Sequence, residues 1–240
     1  MPNEMGSQTL TFYGKVEDIN DPLQLGRVRV RVFSEHESLD VEDLLWATVL
    51  LPVTSASLLG TGSSPTGLLV GSYVMGIYLD AHHKQQQIVI GSLAKIPGMD
   101  ESLHDVSGLA REKAPTINQV GPEPASAYEA KYPFNKVVQT VSGHTVELDD
   151  TPGAERIKIS HKAGTYTEIN AEGRRVNKTA GDNFDVIVGN DTVYIQGDCK
   201  IQVMGKCDIT VGGAATISAE SVALTASGAV SVKASSIKLN

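Results

Sequence analysis

Six glycines stand eight residues apart, at Gly173, Gly181, Gly189, Gly197, Gly205 and Gly213, and nothing else in the chain restricts its fold so tightly. An aliphatic residue lies two positions before four of them: Ile187, Ile195, Val203 and Val211. Within the repeats apolar residues alternate, Val193 with Ile195, Ile201 with Val203, and Ile209 with Val211. A period of eight fits neither a helix nor an unbroken strand. It fits short strands whose apolar side chains share one face, separated by sharp corners. Glycine supplies the backbone freedom such corners need. Self-similarity at a fixed period marks a solenoid or an intertwined fibre.

One octad buries only two or three small side chains. A single chain coiled this way would enclose a thin core and leave many backbone groups without partners. Three chains wound about one axis remove both difficulties, so the expected arrangement is a homotrimer. Its core would be Ile187, Val193, Ile195, Ile201, Val203, Ile209, Val211 and Ile217, with repeat turns at Gly181, Gly189, Gly197, Gly205 and Gly213. After Glu220 the apolar register slips by one, to Val222, Leu224 and Ala226, then Val230 and Val232. The small residues there suggest a tighter prism. If each octad rises one strand spacing, the stretch from Gly181 onward adds roughly 36 Å along the axis.

The valine–glycine octads resemble the triple-stranded β-helix of cell-puncturing spike proteins, which stand at the tip of contractile phage tails and in type VI secretion systems. The approach to the octads is similar to that family too: Ser142 through Gly153 (SGHTVELDDTPG), Glu155 to Ile159, then His161-Lys162 and Gly164-Thr165. The resemblance implies an all-β chain: an amino-terminal OB-fold barrel that joins a tail hub, followed by the intertwined β-helix.

The residues before position 94 agree with that expectation. Thr11–Val16 reads as a strand, and Asp21-Pro22 as a turn. Gly26 to Val32 alternates valines with arginines, the mark of a half-buried strand with a cationic outer face. Leu45–Pro52, Leu68–Leu79 and Gln87–Leu93 complete five strands, and Leu58–Gly67 is a Gly/Ser/Thr/Pro loop. Five strands in this length suit a small barrel such as an OB-fold. The residues that resemble the family's barrel are Asp21-Pro22, Gly26 to Val30, Trp46-Ala47 with Pro52, Gly71 to Val74, Gly76 to Leu79, and Ile88 to Gly91.

Residues 95–135 hold Pro97, Pro115, Pro122, Pro124 and Pro133 without sustained periodicity, and read as a linker with one short helical turn around Ser102–Ala110. Many members of the family carry a lysozyme domain here; forty residues are too few to pack one. No enzymatic activity is therefore expected, and the absence of a fused amino-terminal hub favours a phage-type spike. The expected domains are barrel 1–94, linker 95–135 and β-helix 136–240, the last beginning with strands at Val137–Val141, Thr145–Leu148, Ile157–Ser160 and Tyr166–Ile169.

Composition excludes several alternatives. The net charge is −8 and aromatic residues make up 5% of the 240 positions, so an oligonucleotide or an anionic lipid surface is a poor partner for this barrel. There is no apolar run of transmembrane length. Met1–Gln8 lacks a basic-then-apolar leader, which implies synthesis and assembly in a bacterial cytoplasm before the protein enters the virion. Cys199 and Cys207, one octad apart and in phase with Ile201 and Ile209, read as small buried core residues; a disulfide ladder or an interchain metal site is the competing reading. His82-His83 beside Asp80 lacks further ligands at useful spacing. His144 and His161 read as surface or interface residues. The aspartates Asp182, Asp185, Asp191, Asp198 and Asp208 drift against the repeat, unlike a nine-residue calcium roll. No cofactor, metal or catalytic residue is expected.

The expected function is a baseplate spike that attaches to a hub and punctures a bacterial envelope. The alternative is the spike of a secretion or pyocin-like injection system. A polysaccharide-degrading tailspike would need carboxylate pairs on a broad face and a longer chain. Ending at Lys238-Leu239-Asn240 without an apex domain, the fibre is expected to receive a separate tip-capping protein.

Overall fold

The computed structural model describes residues 10–58, 67–81, 83–94, 121 and 123–238. Met1–Gln8, His82, the expected helical turn at Ser102–Ala110, and Leu239-Asn240 lie outside them. The chain divides into two compact units, Met1–Asn183 and Phe184–Asn240.

The first unit contains a closed barrel of β1 (Leu10–Asp18), β2 (Val28–Val32), β3 (Trp46–Val49), β4 (Tyr73–Tyr78) and β5 (Gln87–Leu93). Its strand order is β1-β2-β3-β5-β4, with β4 returning to pair antiparallel with β1 and β3 pairing parallel with β5. This is the connectivity and closure of an OB-fold. Alternation decides which side chains face in. Phe12, Val16, Val28, Val30, Val32, Ala47, Val74, Tyr78 and Val89 form one buried cluster. A single-turn 3-10 helix at Val41–Asp43, which the sequence pattern does not reveal, lies between β2 and β3.

Closure at this small diameter demands close backbone approach. An added Cβ at Gly76 would lie 2.2 Å from the Phe12 ring and 2.3 Å from the Ile88 carbonyl oxygen. A ring locked in the core and a ladder carbonyl cannot both retreat. Gly76→Ala is therefore expected to destabilise the barrel by about 3 kcal/mol. Thermal unfolding followed by Trp46 fluorescence checks this; a midpoint within a degree or two of the parent contradicts it.

The same unit holds a second, five-stranded antiparallel sheet in simple meander order: β6 (Asn135–Gln139), β7 (Thr145–Asp149), β8 (Arg156–Ser160), β9 (Tyr166–Ile169) and β10 (Arg175–Lys178). Three of its hairpins repeat one turn. In each, a backbone N–H bonds to a carbonyl four residues on, at Thr140–His144, His161–Thr165 and Asn170–Arg174. Gly143, Gly164 and Gly173 occupy the same place in those turns, with φ of +94°, +95° and +78°. That conformation favours glycine, as in a turn closed by a bulge. Gly173 is thus a hairpin residue between β9 and β10 rather than the first octad corner, and β10 is a strand the octad register conceals.

The second unit is an extended chain bent at regular intervals. Bends fall at 180–181, 188–189, 196–197, 204–205, 212–213, 220, 227–228 and 235. Successive bends start eight residues apart from 180 to 220, then seven apart from 220 to 227, then eight again. The register slip read from the apolar pattern is therefore a single seven-residue step. Among the described residues beyond Lys178 there is no strand, and no backbone–backbone hydrogen bond joins two positions from 186 to 238.

Candidate functional site

No catalytic constellation is assembled among the described residues, nor is any group of three or more metal-ligating side chains. A recess of about 300 Å³ is lined by Glu35, His36, Leu39, Asp43, Leu45, Lys84 and Gln85. Glu35 there accepts bonds from the Tyr78 hydroxyl (2.9 Å) and the Lys84 ammonium (2.5 Å), so its charge is already spent on structure. Burial and Glu35 together push the Tyr78 hydroxyl above its ordinary range. The features that define this chain are its surfaces.

On the barrel, the outward row of β2 is cationic in sequence but engaged in the fold. Arg27 pairs with Asp21 at 2.6 Å, and Asp21 also caps the backbone N–H groups of Leu23, Leu25 and Arg27. Those bonds, the Arg27 guanidinium first, hold the Asp21 carboxyl well below the ordinary carboxylate range. Arg29 donates to the Val41 carbonyl; Arg31 pairs with Glu17 at 2.7 Å and donates to the carbonyls of His36 and Leu39. Trp46 lies under Arg27 and Arg29. The arginine row pins the turn after β1 and the 34–44 loop. The opposite side of the barrel is apolar outside as well as inside. Met75, Ile77 and Ile88 stand half-buried in adjoining cross-strand rows, with Tyr13, Leu50 and Ile90 exposed around them.

The second sheet is inverted relative to a usual half-buried sheet. Its covered face is charged: Glu147, Lys158 and Glu168 sit in one cross-strand row, with Arg156 beside them, all at least 96% buried. Arg156 pairs with Glu147 and with Glu168 (3.2 Å), and Lys158 with Glu168 (2.9 Å). The segment 123–134, the end of the stretch expected to be a linker, is strapped across this face. Ser126 and the Ala127 N–H bond to Glu168, Tyr128 covers Arg156, and the Lys131 N–H bonds to Thr151. Glu123 accepts from the Tyr166 hydroxyl (2.5 Å) and Lys178 (2.8 Å). Burial alone would raise the Glu168 carboxyl; the bonds from Lys158, Ala127 and Ser126 outweigh it and hold the carboxyl below its ordinary value. Sequence reasoning missed this cluster because it buries apolar faces by default. The available clue was opposite charges at matching positions of consecutive strands: Glu147, then Arg156 and Lys158, then Glu168.

The other face carries Val138, Val146, Leu148, Ile157 and Ile159, between 41% and 70% exposed, with Ile169 beside them. His144 and His161 stack near its end with ring centroids 4.4 Å apart, and each accepts a backbone N–H at Nδ1. That bonding turns both rings into turn-fixing groups rather than ligands.

In the second unit the expected core residues fall into two classes. Ile187, Ile195, Val203 and Val211, each two before a bend glycine, are 50–53% exposed, whereas Val193, Ile201, Ile209 and Ile217 are 75–85% exposed. Cys199 and Cys207 are free and exposed. No atom outside the immediate chain approaches a Cβ built at Gly181, Gly189, Gly197, Gly205 or Gly213. A single chain thus displays the octad residues in phase without bringing them together.

The small OB barrel is followed by a sheet and an octad segment, and comparison with known proteins finds relatives among phage tail proteins. A family model described as the Gp5 N-terminal OB domain matches residues 28–120. The chain is 30% identical, over a 258-residue alignment, to Protein Gp5 of Vibrio phage KVP40 (isolate Vibrio parahaemolyticus/Japan/Matsuzaki/1991), covering 76% of this chain and 60% of that protein. It is 45% identical over 64 residues to the pre-baseplate central spike protein Gp5 of Enterobacteria phage T4, covering 27% of this chain and 11% of that one. The chain spans 60% of the length of the first relative and 11% of the second. It is similar to the central spike proteins of phage tail baseplates.

Proposed function

We propose that the chain is the non-enzymatic structural spike of a contractile tail: the barrel attaches to a tail hub, and three copies wind their octads into a β-helix that punctures the bacterial envelope. The observation that carries this reading is the second unit. Its bends fall eight residues apart save for one seven-residue step, apolar side chains stand beside the bend glycines, and among the described residues no backbone–backbone hydrogen bond joins two positions from 186 to 238. Unpaired backbone of that length is stable only when other strands supply the ladder.

With three copies, Ile187, Val193, Ile195, Ile201, Val203, Ile209, Val211 and Ile217 fill the prism, and Gly181, Gly189, Gly197, Gly205 and Gly213 turn its corners. Barrel, connecting segment and β-helix are then the working domains.

Sheath contraction supplies the force. A prism whose every strand is bonded to neighbours from other chains transmits thrust because no part of it can bend away alone. The outward apolar belt around Met75, Ile77 and Ile88 is the surface offered to the hub; the arginines of β2 are already engaged, which leaves the barrel no free cationic row for nucleic acid.

The test is restoration of infectivity. Adding the purified full chain to tails assembled in cells where its gene is silenced is expected to restore infectious particles, with the chain located on the tail axis by electron microscopy. Tails that take up the chain elsewhere, or that infect equally well without it, contradict the reading.

A further inference from the structure

We infer that Cys199 and Cys207 are an oxidisable cross-linking pair between copies of this chain, able to close three chains into one covalent ring. This rests on the trimer reading and adds to it a chemical step at a named pair of sulfur atoms.

The chain has two cysteines in 240 residues, and both take the same place in consecutive octads. Cys199 stands two residues after Gly197 and Cys207 two after Gly205, with bends at 196–197 and 204–205. Neither is bonded within its own chain, and both are exposed there. Alternation puts Cys199 on the side of Ile201 and Val203, and Cys207 on the side of Ile209 and Val211. Both thiols therefore face the way the octad core residues face. The same place holds Asn183, Asp191 and Ala215 in other octads, so the repeat itself makes no demand for sulfur.

Threefold winding decides what each thiol meets. Each octad forms one side of the prism, and each bend carries the chain to the next side. The side that one copy enters is the side its neighbour has just left, one strand lower. An octad of one copy therefore lies directly over the preceding octad of a neighbour. Corners must stack on corners, so the two strands run parallel and in register, about 4.8 Å apart. Cys207 of one copy then lies beside Cys199 of its neighbour. That separation falls within the roughly 4.4–6.8 Å between Cα atoms that a disulfide spans. Within one chain the two cysteines occupy different sides of the prism and cannot reach each other. The threefold axis makes three such pairs at once, uses all six sulfurs and leaves none over.

The step is a thiol–disulfide exchange with a small-molecule disulfide such as oxidised glutathione. The thiolate of one cysteine attacks a sulfur of that disulfide, forming a mixed disulfide and releasing one small thiol. The thiolate of the neighbouring copy's cysteine then attacks the protein sulfur of the mixed disulfide and releases the second small thiol. Two protein thiols are oxidised, one small disulfide is reduced, and the two protons pass to the departing thiolates. Both cysteines are open to solvent in a single chain, so the first exchange can precede closure of the prism. Chains joined in a ring cannot separate while the bonds last, whereas reduced chains are held by packing alone.

The experiment produces the full chain in a bacterial cytoplasm that accumulates oxidised glutathione, blocks remaining thiols at lysis, and runs the boiled protein in SDS without reductant. The expected product is a covalent species of three times 25.5 kDa, which reductant converts to 25.5 kDa. Alanine already occupies this place at Ala215, so Cys199→Ala and Cys207→Ala are expected to leave the octads intact. Each variant alone is expected to give no covalent species, and the two co-expressed are expected to give one of twice 25.5 kDa. A parent that is trimeric by light scattering yet boils to single chains without reductant overturns this inference alone. So does a covalent dimer of either variant alone, because thiols of the same residue would then be pairing. A parent that is a monomer in solution overturns the trimer reading beneath it.

Discussion

In the proposed trimer, Val203→Asp is expected to abolish the SDS-resistant form of the assembly. The valine stands two residues before the Gly205 bend and is half exposed in one chain, in phase with Ile187, Ile195 and Val211. In a threefold prism the substitution places three carboxylates at one level of a core only a few side chains wide. An unpaired buried charge is worth several kcal/mol of destabilisation, and here it occurs in triplicate. The expected result is a fibre open from that level onward and cut by protease beyond residue 184. Gln202→Asp, one residue away on the opposite parity, is the control and should leave the fibre intact. Equal SDS resistance in Val203→Asp and the parent would show that these residues do not form a core.

Glu168→Ala destabilises the first unit by about 3–5 kcal/mol, the range for removing one partner of a buried ion pair. Lys158 loses its carboxylate, Arg156 keeps only Glu147, and the strap loses the acceptor for Ser126 and the Ala127 N–H. Denaturant unfolding gives the magnitude; hydrogen exchange should show 123–134 released first. The same group sets an acid sensitivity. Its carboxyl is held below the ordinary value in the fold, so its contribution is fully present above the unfolded value, near pH 4.3, and is lost as pH falls through the folded value. The stability gap between the parent and Glu168→Gln should therefore be wide at pH 7 and close at acidic pH. A gap that stays constant with pH, or an Ala variant within 0.5 kcal/mol of the parent, contradicts the account of this face.

Much of the architecture is legible in the residues because alternation fixes faces. Val28, Val30 and Val32 face the barrel core as their spacing demands, and four of the five barrel strands lie inside the stretches read as strands, while β1 runs beyond Thr11–Val16 at both ends. The octad bends fall on the glycines, and the slip after Glu220 is present as one short step. Other features escaped for physical reasons. The 3-10 turn at Val41–Asp43 is held from outside its own sequence, by Arg29 reaching the Val41 carbonyl. β10 begins after Gly173, whose spacing matches the octads but whose conformation is that of a hairpin. The sheet's polarity could not be read from Arg156-Ile157-Lys158-Ile159 alone. Whether the charges or the isoleucines are covered depends on a strap that arrives from residue 123.

The most direct test of the trimeric spike is the solution mass of the purified full chain by light scattering, repeated in SDS before and after boiling. The account predicts a species of three times 25.5 kDa that survives SDS until boiled. A species of 25.5 kDa under native conditions would contradict it, since the octad residues would then have no core to enter.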